Sequence, residues 1–379
     1  MLVVIDNFRT LGSLRMPLTN IVKTVRAKAP ARIDLAGGTI DLWPLNVFFE
    51  NAATINATIN QFAEVEVAIG AESKIGETSS FTLESRDRNE RVEFSSYGQL
   101  LESFQFTHKA VDLNPSLWLH ARVVRQFFAF WRKNANFHLS TRCDSPAGAG
   151  LGGSSALNIA LCNAFRSITN ANFTDEELIG LARDLETTVI EVPAGVQDYW
   201  SAQFGGIQAI HFEPGKTYRR VFYKQKTFVE SQILLLYSGQ SRNSGINNWA
   251  VYKAFIDKDP TVVAAFKNIV KATHQVEESL DRFSESTFIE GIKREWAARQ
   301  QLAPGIATKE MLQVMDEAYN LGAVAAKVCG AGGGGCFLIV VPPEQKASIQ
   351  ARLKDKLIGT SIRLIDFEIA ESGCVVTET

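Results

Sequence analysis

The alternation of polar and apolar positions changes period several times along the chain, and each change marks an element. Val25–Ala29 and Ala31–Ala36 read as strand material running into the turn Gly37–Gly38. Ala63 to Ile69 (Ala-Glu-Val-Glu-Val-Ala-Ile) alternates with a period of two, which predicts a strand with one wet face. The stretch Glu84 to Glu93 is crowded with both charge signs and predicts a solvated hairpin or loop rather than a nucleic-acid contact. From Leu117 to Asn134 apolar residues recur at helical spacing, with Arg122, Arg125, Arg132 and Lys133 between them, so a core-facing helix is expected there. His138–Cys143 alternates like a strand, Ser145–Gly153 is loop, and Ser154–Ser167 has the pattern of a helix. Thr174 and Glu177 have capping-box spacing and open a second helix, which runs towards Thr188 until Pro193 and Gly195 break it.

Past about residue 206 the pattern shifts. A strand at Ile233–Tyr237 is followed by long helical stretches over 245–302 and a helix from Thr308 to Asn320 stopped by Gly322. Ala323–Val328, a glycine run, Cys336–Val341, a helix over 343–357 and Ile362–Ile369 complete the order of a small α+β sandwich. No fixed-period repeat or low-complexity linker interrupts the chain. Its 379 residues, 46% of them hydrophobic, suit two coupled domains, 20–205 and 206–379, sharing a cleft.

Charge and cysteine usage narrow the partners. Lys+Arg 39 against Asp+Glu 41, a formal net charge of −2, gives no global attraction for nucleic acid or an anionic membrane, so any phosphate binding is local. Apolar runs such as Ile233–Tyr237 and Cys336–Val341 fall far short of the roughly 20 residues a membrane span needs. Asp6 and Arg9 interrupt the start of the chain, which argues against an export signal. Cys143, Cys162, Cys329, Cys336 and Cys374 are scattered, without close CxxC pairs, as expected of reduced thiols in a cytoplasmic protein. The histidines (His108, His120, His138, His211, His274) show no HxH or HExxH spacing and are expected to be structural.

The chemistry concentrates in Ser145-Pro-Ala-Gly-Ala-Gly-Leu-Gly-Gly-Ser-Ser-Ala156. Its glycines let backbone N–H groups approach an anion, and the following helix adds its positive end, so the segment reads as a phosphate cradle. Gly148, Gly150 and Gly153 formally satisfy the dinucleotide pattern GxGxxG, but the acidic residue that pattern wants about 20 positions on falls in Ala171–Asp175, which opens a helix. No GxxxxGK[ST] occurs.

Pro146–Ala156 resembles the second motif of the GHMP kinases, the galactokinase, homoserine kinase, mevalonate kinase and phosphomevalonate kinase group. Ala29–Asp41 resembles the first motif and Lys327–Phe337 the third, in the expected order. The resemblance implies an α+β fold of two parts, an N-terminal ribosomal-protein-S5-like domain and a C-terminal ferredoxin-like domain, with the active site between them. It implies an ATP- and Mg²⁺-dependent kinase acting on a hydroxyl, with ATP on Pro146, Gly148, Gly150, Leu151, Gly152, Gly153, Ser154 and Ser155.

Glu186 is similar in placement to the family's magnesium-binding Glu, with Ser154 or Ser155 as its hydroxyl partner and Ser154 favoured. Asp198, after Val192-Pro-Ala-Gly-Val-Gln, is similar to the catalytic Asp. Arg32 stands where galactokinase-like members have Arg and mevalonate-kinase-like members have Lys; a guanidinium there can pair with Asp198 and stabilise the transferred phosphoryl group. Asp41 corresponds to the galactokinase Asp that binds sugar hydroxyls, but Gly38 and Thr39 replace the Glu-His pair before it, which turns the expectation from galactose to another sugar. The form Ala-Gly-Gly-x-x-Asp resembles the subgroup of heptose 7-phosphate kinases and the fucokinase domain. The expected acceptor is therefore a sugar or sugar phosphate, bound by Asp41, Gly38, Thr39, Arg242, Gly332 and Gly333. The alternatives are a mevalonate-type kinase and a non-catalytic sensor of sugar or nucleotide.

Overall fold

The computed structural model describes residues 21–72, 79–104, 110, 113–131, 135–241, 244–330 and 332–379, without the side chains of 244–247. Among these, twelve strands form two sheets. The first holds β1 (Ile21–Ala36), β2 (Ala52–Glu72), β3 (Phe81–Ser85), β4 (Glu90–Phe94), β5 (Ala135–Cys143), β6 (Ile207–Glu213), β7 (Lys216–Phe222) and β12 (Val375–Glu378). Its order is β12-β1-β2-β5-β3-β4, with β6 on β2 and β7 on β6. The second sheet is β11-β8-β10-β9, built from β8 (Ile233–Tyr237), β9 (Ala325–Val328), β10 (Cys336–Val340) and β11 (Arg363–Ile365).

The two strand pieces expected around Pro30 form one strand, β1, whose register against β2 shifts between Pro30 and Ala31. Proline has no N–H for the ladder, so a bulge at that position keeps the strand continuous. Besides β1, β2 has two further partners: Ala52–Ala57 pairs with β6 and Ala63–Glu72 with β5. The alternation of Ala63–Ile69 gives the anticipated wet face, where Glu64 and Glu66 meet Lys28 and Arg26 at 3.0 and 2.7 Å. These exposed pairs contribute little stability. The charged stretch before residue 93 is the hairpin β3–β4, anchored by Phe81 stacked between Phe94 and Phe137.

The helix expected over 117–134 is α-helical only over Trp118–Phe127 and tightens to a 3-10 turn at Phe128–Phe130; 132–134 lie outside the described residues. Phe127 and Phe130 both pack against Phe173 while Phe128 stacks on Tyr97, an arrangement reached with the tighter turn. The capping box at Thr174 is complete: Glu177 N donates to Thr174 Oγ1 at 3.2 Å and Thr174 N to Glu177 Oε2 at 2.8 Å. The helical stretch over 245–302 resolves into Ser244–Ile256, Pro260–Arg282 and Glu285–Arg299. Asp259 caps the second of these, and Phe283, at φ 50°, turns the chain before Ser284 caps the third.

The division at 205/206 differs from the hydrogen bonding. β6 and β7, a hairpin turned at Pro214–Gly215, extend the first sheet, so the chain leaves that sheet after Phe222. At the other end, β12 returns to β1, with Val25 opposite Glu378. A Cβ on Gly205 would lie 2.2 Å from the backbone of Ser372, so glycine is needed where the returning strand crosses. The run Ile362–Ile369 is strand only at β11; Ile369 then bridges to Ile59 of the first sheet. One apolar cluster, including Ile33, Ile59, Leu151, Leu235, Ile292 and Leu338, joins the two sheets and fixes the cleft between them.

Candidate active site

A cavity of about 590 Å³ opens where the three glycine-bearing segments meet. The loop expected to cradle phosphate needs glycine because Gly148, Gly150 and Gly152 have φ of 65, 74 and 69°. Gly152 then caps the helix Gly153–Thr169, whose N-terminus faces the cavity. Cys336 N donates to Ala149 O at 2.7 Å, which docks the third glycine segment against the loop. From the other side, Arg32 N donates to Leu151 O at 2.9 Å and its Nη1 to Gly150 O at 2.7 Å.

Arg32 is nearly inaccessible, at 4% exposure, and its Nε and Nη2 grip Asp198 Oδ1 at 2.7 and 2.5 Å. Burial alone would lower the guanidinium's pKa, but Asp198 and Asp34 beside it outweigh burial and raise it. Arg32 therefore links the loop to a carboxylate that lines the cavity. Glu186 is buried; its Oε2 accepts from Ser155 Oγ at 3.1 Å and Tyr199 OH at 2.6 Å. Burial raises its pKa despite these donors and neighbouring Ser154, and no Lys or Arg forms an ion pair with it among the described residues.

Asp41 lines the same cavity as Asp198. It accepts from Gln197 N at 3.0 Å and Gln197 Nε2 at 3.4 Å, and a Cβ on Gly195 would come within 2.0 Å of it. Glycine at 195 is thus required for this carboxylate to seat. Burial pushes the Asp41 carboxyl up to about 6, against the lowering effect of the Gln197 N–H. Thr39, at φ 79°, holds a backbone conformation that costs a non-glycine residue roughly 1–3 kcal/mol, and it lines the cavity beside Asp41.

The structure brings Arg32, Asp198, Glu186, Thr39, Asp41, Pro146, Gly148, Gly150, Gly152, Gly153 and Ser154 to the lining of one cavity. Other expected contacts lie elsewhere. The Leu151 side chain is buried in the core between the sheets, because only its carbonyl is turned to Arg32. Ser155 lies below the lining on Glu186, whereas Ser154 is exposed at the cavity. Gly38 is also outside the lining, its carbonyl taken by Arg299. Gly332 and Gly333 face Ile306: a Cβ on Gly332 would lie 2.4 Å from Ile306 O, and Gly333 N donates to the same oxygen at 2.7 Å. Gly330 of that segment reaches the cavity instead. Arg242 lies outside the described residues.

Several lining or supporting residues were not anticipated. Gln197 and Tyr199 flank Asp198 in sequence, and that adjacency was the available signal. The hairpin turn after β3, read as merely solvated, contributes Asp87 and Arg88 to the cavity lining, together with Asn114.

Residues 119–206 match the family described as GHMP kinases N terminal domain, and residues 276–359 match GHMP kinases C terminal. The chain belongs to the GHMP kinase family. This GHMP kinase is 25% identical over 339 residues to the D-glycero-alpha-D-manno-heptose 7-phosphate kinase of Campylobacter jejuni, covering 88% of this chain and 94% of that protein. It is 28% identical over 330 residues to the mevalonate kinase of Thermococcus onnurineus, covering 85% and 90%. Among solved structures, a D-glycero-D-manno-heptose 1-phosphate kinase from Bacteroides thetaiotaomicron aligns with TM-score 0.68 at 22% identity, over 93% of this chain and 98% of that one. Galactokinase from Lactococcus lactis, complexed with galactose, aligns with TM-score 0.69 at 14% identity, over 94% and 95%. These structural likenesses establish the two-domain α+β GHMP kinase fold. No helix among the described residues is long and apolar enough to cross a membrane.

Proposed function

We propose that this GHMP kinase transfers the γ-phosphoryl group of ATP to a hydroxyl of a sugar or sugar phosphate, with heptose 7-phosphate as the first acceptor to try. The observation that carries the reading is the Arg32–Asp198 pair, fixed between the phosphate loop and the buried carboxylate Asp41. ATP phosphates suit the loop N–H groups and the helix N-terminus, and the purine suits the end formed by Asp87, Arg88 and Asn114. The acceptor then lies against Thr39, Asp41 and Asn248. Asp198 orients the acceptor hydroxyl and takes its proton, while Arg32 stabilises charge on the transferred group.

A magnesium ion fits the donor set, because Glu186 and Ser154 offer only hard oxygen atoms and the Glu186 carboxyl is buried without a cationic partner among the described residues. Bound there, it would neutralise phosphate charge. Glu186→Gln is expected to raise the free Mg²⁺ needed for half-maximal rate by roughly tenfold or more while leaving the fold intact. A magnesium titration checks this, and an unchanged requirement would move the metal off Glu186.

The acceptor carboxylate gives a pH signature. With its pKa pushed up to about 6, Asp41 is ionised above that pH and protonated below it. The acceptor KM is therefore expected to rise as pH falls through about 6, and Asp41→Asn to abolish that limb. A limb that persists in the variant belongs to another group.

The five cysteines form no disulfide among the described residues, which supports a reducing compartment, and we place the reaction in the cytoplasm. The relatives named mevalonate kinases make mevalonate the second acceptor; Arg32 in place of Lys and the polar Asp41 favour the sugar. A coupled ADP-release assay over sugars, heptose phosphates and mevalonate tests the reading. Acceptor-dependent release with a sugar or sugar phosphate supports it, release with mevalonate alone transfers it to the second reading, and no release with any compound points to a sensor.

A further inference from the structure

Four ionisable side chains lie out of solvent beneath the Thr39–Asp41 end of the cavity: Asp34, Glu295, Arg299 and Lys327, each at 1% exposure or less. Two carboxylates and two cations make the group neutral, as burial of charge demands. None of the four lines the cavity, and none takes part in the transfer described above.

Arg299 projects from the end of the helix Glu285–Arg299. Its Nε and Nη2 bind Glu295 Oε1 at 2.8 and 2.5 Å, one helical turn back. The remaining donors go to backbone carbonyls of both domains: Nη2 to Gly38 O at 3.0 Å and Nη1 to Gly330 O at 3.4 Å. Lys327, whose Nζ is 3.4 Å from Glu295 Oε1, adds bonds to Asp34 O and Leu35 O, both at 3.1 Å. The Gly38 turn lies directly on the cluster, since a Cβ there would come within 2.3 Å of Asp34 Oδ2.

Gly38 precedes Thr39 and Asp41, and Gly330 is itself a wall of the cavity. A guanidinium can hold two carbonyls and a carboxylate at once because its donors form a rigid fork; an ammonium is a single point. An apolar core of the same volume would serve stability equally well or better. What it would lack is a link that fixes one glycine turn against the other.

We propose that Arg299 is a positioning residue for the acceptor: it sets the spacing between the Gly38–Asp41 turn and Gly330, and thereby the width of the acceptor end. This rests on reading the Thr39–Asp41 end as the acceptor end. Lys327 fixes the strand just before that turn, so that Arg299 acts on an anchored segment.

Two full-length variants test it. Arg299→Lys keeps the charge but loses the fork. Glu295→Met with Arg299→Met removes an oppositely charged pair and leaves Asp34 with Lys327, so the buried group stays neutral and folding is retained. In both, the acceptor KM is expected to rise roughly 10- to 100-fold while the ATP KM and directly titrated nucleotide Kd stay within about twofold. Amide hydrogen exchange is expected to quicken at 37–41 and 329–335 and to stay unchanged at the phosphate loop. Loss of nucleotide and acceptor affinity together, or unchanged acceptor KM and exchange in the folded double variant, overturns the proposal. If the parent phosphorylates no sugar, the functional reading fails on that result, and the exchange pattern still decides whether Arg299 ties the two turns.

Discussion

Asp198→Asn is expected to bind nucleotide as the parent does and to lose turnover by roughly 10²–10⁴-fold. Asp198 makes its described side-chain contact with Arg32, while the phosphate loop is held by backbone bonds from Arg32 and Cys336 that do not involve it. The amide is nearly isosteric and can still accept from Arg32 through its oxygen, so the local geometry survives. On the proposed reading, the change removes a negative charge and the group that takes the proton of the hydroxyl to be phosphorylated. Kinetics set beside nucleotide titration separate these effects: kcat falls and nucleotide Kd holds. Near-parental turnover would remove Asp198 from the reaction and leave the Arg32 pair as a structural bridge.

Lys327→Met is expected to cost about 3–5 kcal/mol of stability at neutral pH, because it leaves the cluster's two buried carboxylates with Arg299 alone, Arg32 being committed to Asp198. Burial pushes the Asp34 carboxyl up, but Lys327, Arg299 and Arg32 around it more than offset that and hold it below the usual carboxylate range. A carboxyl lowered in the folded state adds stability that is complete above its unfolded value and lost as pH falls through the folded one. The parent is therefore expected to keep this contribution until strongly acid conditions. The variant surrenders much of it throughout the neutral range. Adding Asp34→Asn to Lys327→Met leaves Glu295 paired with Arg299 and is expected to recover part of the loss. Denaturant titration of the three proteins at neutral pH checks the series; an unchanged midpoint in Lys327→Met contradicts the charge balance described for the cluster.

What could be read from the sequence follows the range of the interactions. The capping box at Thr174, the glycine loop and the period-two strand before residue 70 are set by neighbours a few positions away, and each was legible. The grip of Arg32 on Asp198 spans 166 positions, and it was legible only through resemblance to a family. The bond from Arg299 to Gly38 spans 261 positions, and that from Lys327 to Asp34 spans 293; nothing local marks either side chain as buried. The return of β12 to β1 was missed for the same reason, since four residues near the end of the chain carry too short a pattern to name a distant partner. Gly332 and Gly333 show the opposite error. Their glycine character was legible, but it serves the approach to Ile306 rather than the cavity.

The most direct test of the central claim is the product itself. The full chain, incubated with MgATP and heptose 7-phosphate, should yield ADP and a heptose carrying one additional phosphoryl group in equal amounts by mass spectrometry, with Asp198→Asn yielding neither at a comparable rate. ADP formed without a phosphorylated sugar, or phosphoryl transfer to mevalonate with none to any sugar or sugar phosphate, would contradict it.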